Sequence, residues 1–212
     1  MLPQLFSCGL PWSLIVNFWT IPNCLTYFRI LLIPAFVILG FCSFLHHEWA
    51  TAFIFFIGAV TDWLDGFLAR YLHQGSAFGE FLDPVADKLV VAAALVLLIT
   101  EFPNPWMAIP GVIIISREIL ISALREWMAE LGKRTRVKVS YIGKIKTSMQ
   151  MLAILILLTQ KPAMTPTLNP VIIIGFICLY IAVILTIWSM CIYLIAAWKV
   201  LRHLPAEPLK KP

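Results

Sequence analysis

Four aspartates stand in two pairs: Asp62 and Asp65 are three residues apart, Asp83 and Asp87 four. Both spacings put each pair on one face of a helix. Carboxylates gathered in apolar surroundings repel one another strongly, and a divalent cation makes the cluster tolerable. An all-oxygen donor set suits a hard ion, Mg²⁺ or Mn²⁺, and four carboxylates are enough for two ions. Gly66, Ala69 and Gly79 lie between the pairs, small residues that let a ligand or another helix approach the backbone. Arg70 adds a guanidinium able to receive a phosphate. Carboxylates, cations, an arginine and clearance together describe a pyrophosphate site. Two metals there can stabilise the attacking and leaving oxygens of a displacement at phosphorus.

A second set of residues has the opposite sign. Arg117 lies deep in an apolar run, where an unpaired charge is costly. It needs a partner: Glu118, an aspartate or a substrate. Arg125 follows two helical turns later on nearly the same face, and Lys144 and Lys146 open the next apolar run. A dianionic phosphate on an acceptor needs such a pocket, so Arg117, Arg125, Lys144 and Lys146 are candidates to bind it. No Ser, Cys or His is obviously placed as a nucleophile, and His73 reads as a solvated loop residue. Five cysteines (Cys8, Cys24, Cys42, Cys178 and Cys191) show no CxxC spacing. They read as small buried apolar side chains rather than as disulfides or zinc ligands.

The elements that must position these residues follow from composition. Of 212 residues, 61% are hydrophobic and only 13% charged, against about 25% charged in soluble domains. Mean hydropathy is +0.91. A water-soluble globule and a disordered chain are both excluded. A membrane-spanning helix takes about 20 residues, so six spans with short loops use up the chain and leave no separate soluble domain. The expected spans are 25–44, 49–70, 83–100, 106–131, 145–159 and 170–198, the fourth long enough to project from the bilayer. Residues 1–20 lack charge and read as an N-terminal extension, interfacial or frayed. Residues 21–204 form one all-α membrane domain, and 205–212 a tail. Seven Lys and Arg residues lie between Arg125 and Lys146, and four follow Trp198. The positive-inside rule then puts both termini and both basic loops in the cytoplasm. Topology accounts for most of the +5 net charge, which calls for no nucleic acid. Trp49, Trp106 and Trp198 fall at span ends, where indoles favour the interface. Met149 and Met151 read as packing residues.

The run Asp62-x₂-Asp65-Gly66-x₂-Ala69-Arg70-x₈-Gly79-x₃-Asp83-x₃-Asp87 matches, without a departure, the signature of the CDP-alcohol phosphotransferase family. Ile21-Pro22-Asn23, Leu25-Thr26 and Arg29 resemble the family's approach to its first membrane helix, where Asn23, Thr26 and Arg29 either touch the nucleotide or anchor the helix. Residues 116–127, 133–134 and 143–147 resemble the bacterial branch that joins CDP-diacylglycerol to sn-glycerol 3-phosphate. The likeness covers residues 21–160 well, and the sixth span only in kind. It implies a six-helix fold, a homodimer in the bacterial inner membrane, a site facing the cytoplasm, and two divalent cations held by Asp62, Asp65, Asp83 and Asp87. It implies that Asp87 is the base and that Gly66, Ala69, Arg70 and Gly79, with Asn23 and Thr26, line the CDP-diacylglycerol pocket. The aspartate signature does not separate glycerol 3-phosphate from inositol phosphate, serine or a phosphatidylglycerol acceptor. A carboxylate-lined cation transporter is a different reading, and it leaves Gly66, Ala69, Gly79 and Arg70 without a role.

Overall fold

A computed structural model of the chain describes residues 21–42, 46–72, 77–130, 141–160 and 169–202. All six expected helices are present: α1 (Ile21–Phe41), α2 (His47–Leu72), α3 (Ala77–Glu101), α4 (Pro105–Glu130), α5 (Tyr141–Leu158) and α6 (Pro170–Arg202). No strand occurs among the described residues. Helices suit an apolar chain of this kind because each satisfies its backbone polar groups within itself. Two starts are set by the same device. The Asn104 side chain accepts the Met107 N–H at 3.0 Å ahead of Pro105, and Asn169 accepts the Val171 N–H at 3.0 Å ahead of Pro170. An Asn cap followed by Pro satisfies an orphan donor and omits one that would have no partner. His46, at φ 66°, makes the left-handed turn into α2.

Four helical segments are long and apolar enough to cross a bilayer: Asn23–Phe41, His47–Leu68, Pro105–Ala129 and Pro170–Trp198. The other two are shorter in apolar length for identifiable reasons. α3 carries Glu80, Asp83, Asp87 and Lys88 in its first turns, and α5 is apolar only over Ile145–Leu158. These two supply much of the core. Leu95, Leu97 and Leu98 of α3 and Ile154, Leu157 and Leu158 of α5 are buried against Phe55, Met107, Ile114 and Leu179. Met149 and Met151 pack against this core, as expected.

Small residues set the spacing. A Cβ added at Gly40 would stand 2.5 Å from Leu97, at Gly111 2.8 Å from Ile99, and at Gly175 2.8 Å from Leu157. Such clearance permits the close backbone approach by which helices associate where lipid removes the usual hydrophobic drive. The outer faces are apolar instead: Leu31, Phe53, Trp63, Ile109, Ile184 and Trp188 are all exposed. Trp49, Trp106 and Trp198 are exposed near helix ends, as predicted. The cysteine expectation needs correction. Among the described residues only Cys178 is buried, and Cys24, Cys42 and Cys191 are exposed free thiols. On a helix whose outer face is apolar, a small apolar side chain gains as much outside the bundle as inside. The extension 1–20, the tail 205–212, Cys8 and His73 lie outside the described residues.

Candidate active site

Successive helices run antiparallel, so one end of the bundle collects the starts of α1, α3 and α5 and the last turns of α2, α4 and α6. The predicted site residues whose side chains are described fall there. α2 contributes Asp62 and Asp65, and α3 contributes Asp83 and Asp87. α1 brings Arg29, which the sequence left either touching the nucleotide or anchoring the helix. Its guanidinium sits at the centre of the acidic cluster. Nη1 is 2.9 Å from Asp62 Oδ1 and 2.5 Å from Asp87 Oδ1, while Nη2 pairs with Asp65 Oδ2. One helical turn earlier, Thr26 Oγ1 donates to Asp83 Oδ1 at 2.5 Å. All four predicted aspartates are therefore tied to one face of α1. Asn23, Thr26, Arg29 and Asp65 are buried, whereas the Asp62 and Asp87 side chains are 41% and 45% exposed. The open side of the cluster is thus formed by Asp62 and Asp87.

Gly66 is the predicted clearance residue whose space the structure describes. A Cβ there would meet nothing within 4 Å. Unlike Gly40, Gly111 and Gly175, it makes room that no neighbouring helix uses, beside the aspartates. Gly79 is buried in the first turn of α3. Ala69 and Arg70 belong to α2, but their side chains lie outside the described residues, as does that of Lys144 in α5.

The second cluster assembles around Glu118. Arg117 Nη1 lies 2.5 Å and Lys146 Nζ 2.7 Å from the same Glu118 oxygen. The partner that Arg117 requires is thus its neighbour in sequence. Arg117 Nη2 also donates to Ser189 Oγ of α6 at 3.2 Å. Arg125 is exposed, with its guanidinium 5.0 Å from the Tyr193 ring centre and Nη2 donating to the Tyr193 hydroxyl at 3.1 Å. Ser189 and Tyr193 are four apart, so one face of α6 receives both arginines. Lys146, like Lys144, opens an apolar run, from which its side chain can point back at the mouth. Its side chain is instead 2% exposed and turned inward to Glu118. Two cations share one carboxylate, so the cluster keeps a positive balance. Lys88, next to Asp87, donates to Ser122 of α4 and links the acidic cluster to the basic one.

Sequence reasoning missed Arg29 as a hub and Glu118 as the shared anchor. For Arg29 the signal was present: a cation eight residues into an apolar helix, like Arg117, costs too much to serve topology alone. For Ser189 and Tyr193 no signal existed, because α6 is apolar all round.

The sequence profile of the CDP-alcohol phosphatidyltransferases matches residues 19–188. The chain belongs to this family. As a CDP-alcohol phosphatidyltransferase it has similar relatives over most of its length. A protein of Haemophilus influenzae is 53% identical over 176 residues, covering 83% of this chain and 92% of that one. One from Pectobacterium atrosepticum is 50% identical over 190 residues, covering 90% and 99%. One from Wigglesworthia glossinidia brevipalpis is 49% identical over 179 residues, covering 84% and 95%. All three bear the name CDP-diacylglycerol–glycerol-3-phosphate 3-phosphatidyltransferase.

Divalent-metal dependence is general among CDP-alcohol phosphatidyltransferases. The donor chemistry here fits such ions. Oxygen is the only donor type, and one guanidinium touches three of the four carboxylates. As they lie, no three His, Cys, Asp or Glu side chains among the described residues form a ligand group; the fork of Arg29 stands between them.

Proposed function

We propose that this chain transfers the phosphatidyl group of CDP-diacylglycerol to sn-glycerol 3-phosphate, giving phosphatidylglycerophosphate and CMP. The observation that carries the reading is the convergence of Asp62, Asp65, Asp83 and Asp87, the family's signature residues, on one point at one end of a membrane bundle. The shared name of the relatives supports the choice of acceptor.

Each cluster has a part in this reaction. Asp62, Asp65, Asp83 and Asp87 would hold two Mg²⁺ or Mn²⁺ ions, which supply charge neutralisation for the pyrophosphate and for the departing CMP. The free space at Gly66 lets the nucleotide approach the α2 backbone closely. Gly79, Ala69, Arg70, Asn23 and Thr26 complete the donor pocket. Asp87, on the open side, accepts the proton of the acceptor hydroxyl as its oxygen bonds to the β-phosphorus and the bond to CMP breaks. Direct transfer inverts the configuration at phosphorus. The positive balance of Arg117, Arg125 and Lys146, joined by Lys144, draws in the acceptor's phosphate. Lys88 and Ser122 hold the helices carrying the two pockets against each other.

The location follows from the same arrangement. The lipid donor brings acyl chains from the bilayer and a nucleotide from water, and a site at a membrane face reaches both. The basic segments at this end support a cytoplasmic orientation. α3 and α5, which carry exposed apolar side chains such as Val96 and Leu152 as well as core residues, would complete six crossings of the bacterial inner membrane with both termini in the cytoplasm. The family resemblance further implies a homodimer.

Metal-dependent CMP release from CDP-diacylglycerol, measured with and without glycerol 3-phosphate, tests the proposal. Release should need both the acceptor and Mg²⁺ or Mn²⁺, and EDTA should stop it. Incorporation of serine but not glycerol 3-phosphate would overturn the acceptor. Ion flux in liposomes with no CMP release would overturn the enzyme.

A further inference from the structure

Arg29 is the most deeply buried charge in the acidic cluster. Its side chain is 1% exposed, and both terminal nitrogens are committed to carboxylates. Its Nε is buried and meets no partner among the described residues. The division of labour between the two nitrogens is informative. Nη2 holds Asp65, whose side chain is 4% exposed, while Nη1 holds Asp62 and Asp87, the two open members. One guanidinium therefore faces four aspartates, Asp83 being held by Thr26. A single positive charge leaves the cluster strongly negative, which is costly away from water. An ion bound by Asp62 and Asp87 needs the oxygens that Nη1 now contacts, and two cations on one lone pair repel each other.

We propose that Arg29 is a built-in counter-cation that exchanges with the metal: it gathers the aspartates in the ion-free protein, yields Asp62 and Asp87 when a divalent ion enters, and stays hinged to Asp65. This rests on the metal-binding part of the function proposed above. Arg29 is thus a positioning residue with two consequences. It keeps the ion-free site from flying apart, so the helices stay packed between encounters with the ion. It also weakens ion binding, because the incoming ion must displace a guanidinium. A residue that only braced the bundle would help ion binding by holding its ligands together, so the two roles predict opposite signs.

The test uses the full-length protein in detergent micelles, with Mn²⁺ as the probe. Free Mn²⁺ is followed by electron paramagnetic resonance during titration, and unfolding temperature is recorded in EDTA and in Mn²⁺. Arg29→Gln should bind Mn²⁺ about tenfold more tightly than wild type, since a facing unit charge is removed. Its unfolding temperature should fall in EDTA and recover most of that loss in Mn²⁺. Arg29→Lys keeps the charge without the fork, so its Mn²⁺ affinity should lie between the two and its stability in EDTA should be largely restored. Both variants are prepared in Mn²⁺ and then moved to EDTA. Collapse of Arg29→Gln in EDTA alone supports the exchange; collapse in both media overturns it. Equal or weaker Mn²⁺ binding by the variants also overturns it. Wild type that binds Mn²⁺ yet releases no CMP overturns the enzyme reading and leaves the exchange standing. Wild type that binds no Mn²⁺ overturns the exchange and the metal reading together, whatever its CMP release.

Discussion

Glu118→Gln is the sharpest probe of how the basic cluster is held. One carboxylate oxygen compensates two buried cations, Arg117 at 2.5 Å and Lys146 at 2.7 Å. With about 4 Å between charge centres and an effective dielectric of about 20, each attraction is ~4 kcal/mol before desolvation. The amide keeps the shape and removes the charge. Breaking a buried pair from one side leaves the cations uncompensated and costs about 3–5 kcal/mol. Glu118 is 28% exposed, so solvent screens part of this and the low end applies. A loss of about 3 kcal/mol corresponds to a fall of about 6–12 °C in unfolding temperature for a chain of this size. Thermal unfolding in lipid nanodiscs measures it. Adding Lys146→Met removes one of the stranded charges and should recover part of the loss. Glycerol 3-phosphate should stabilise Glu118→Gln more than wild type, because its phosphate can replace the missing carboxylate. An unfolding temperature equal to wild type would refute the shared-anchor reasoning. A loss that Lys146→Met deepens would refute the charge account.

Asp87→Asn should lower CMP release by about 100- to 10,000-fold, the usual contribution of a positioned base, while CDP-diacylglycerol binding by calorimetry is retained; near-normal turnover removes the base role. Two glycines should separate packing from substrate clearance. Gly175→Ala pushes a methyl against Leu157 and should cost about 1–3 kcal/mol of stability, read as a lowered unfolding temperature. Gly66→Ala meets no protein atom, so the unfolding temperature should hold or rise while the KM for CDP-diacylglycerol increases. The reverse pattern at either glycine would show that its space has been misread.

Much of this fold is legible in the chain because lipid makes apolar length a direct record of helix length. Each expected span overlaps one of the helices α1–α6, with ends that differ by up to six residues at the start of α3, and the Asn-Pro pairs at 104–105 and 169–170 mark two starts sharply. The acidic site is legible for a related reason: charge is so costly in apolar surroundings that spacing alone betrays shared purpose. Pairing is less legible. Arg29 stands in a helix whose other residues give no hint that its polar side meets both α2 and α3, so its three carboxylate contacts emerge only from packing. Lys146 heads an apolar run and looks like a mouth residue, yet the carboxylate of Glu118 draws it inward. Burial there depends on where α4 lies, which the periodicity of α5 does not encode. The hydroxyls of Ser189 and Tyr193 are lost in a helix with no polar face.

The two clusters follow one rule with opposite signs. Each gathers like charges around a single counter-charge that is too small to balance them: Arg29 among four aspartates, Glu118 between two cations. A fully balanced cluster would be more stable and would have little affinity for a charged ligand. An unheld cluster would drive its helices apart. Under the proposed function, partial compensation would keep the bundle folded while leaving a net charge for the ligand to satisfy, cations on one side and a phosphate dianion on the other. Arg29 and Glu118 differ from their clusters in sign, so neither can take the incoming ligand itself. Their role is to set how strongly each site attracts it. Lys88, bonded to Ser122 from the position beside Asp87, keeps the two unfinished charge balances side by side. Transfer between a pyrophosphate and a phosphorylated alcohol needs that proximity, because like-charged substrates would otherwise avoid each other.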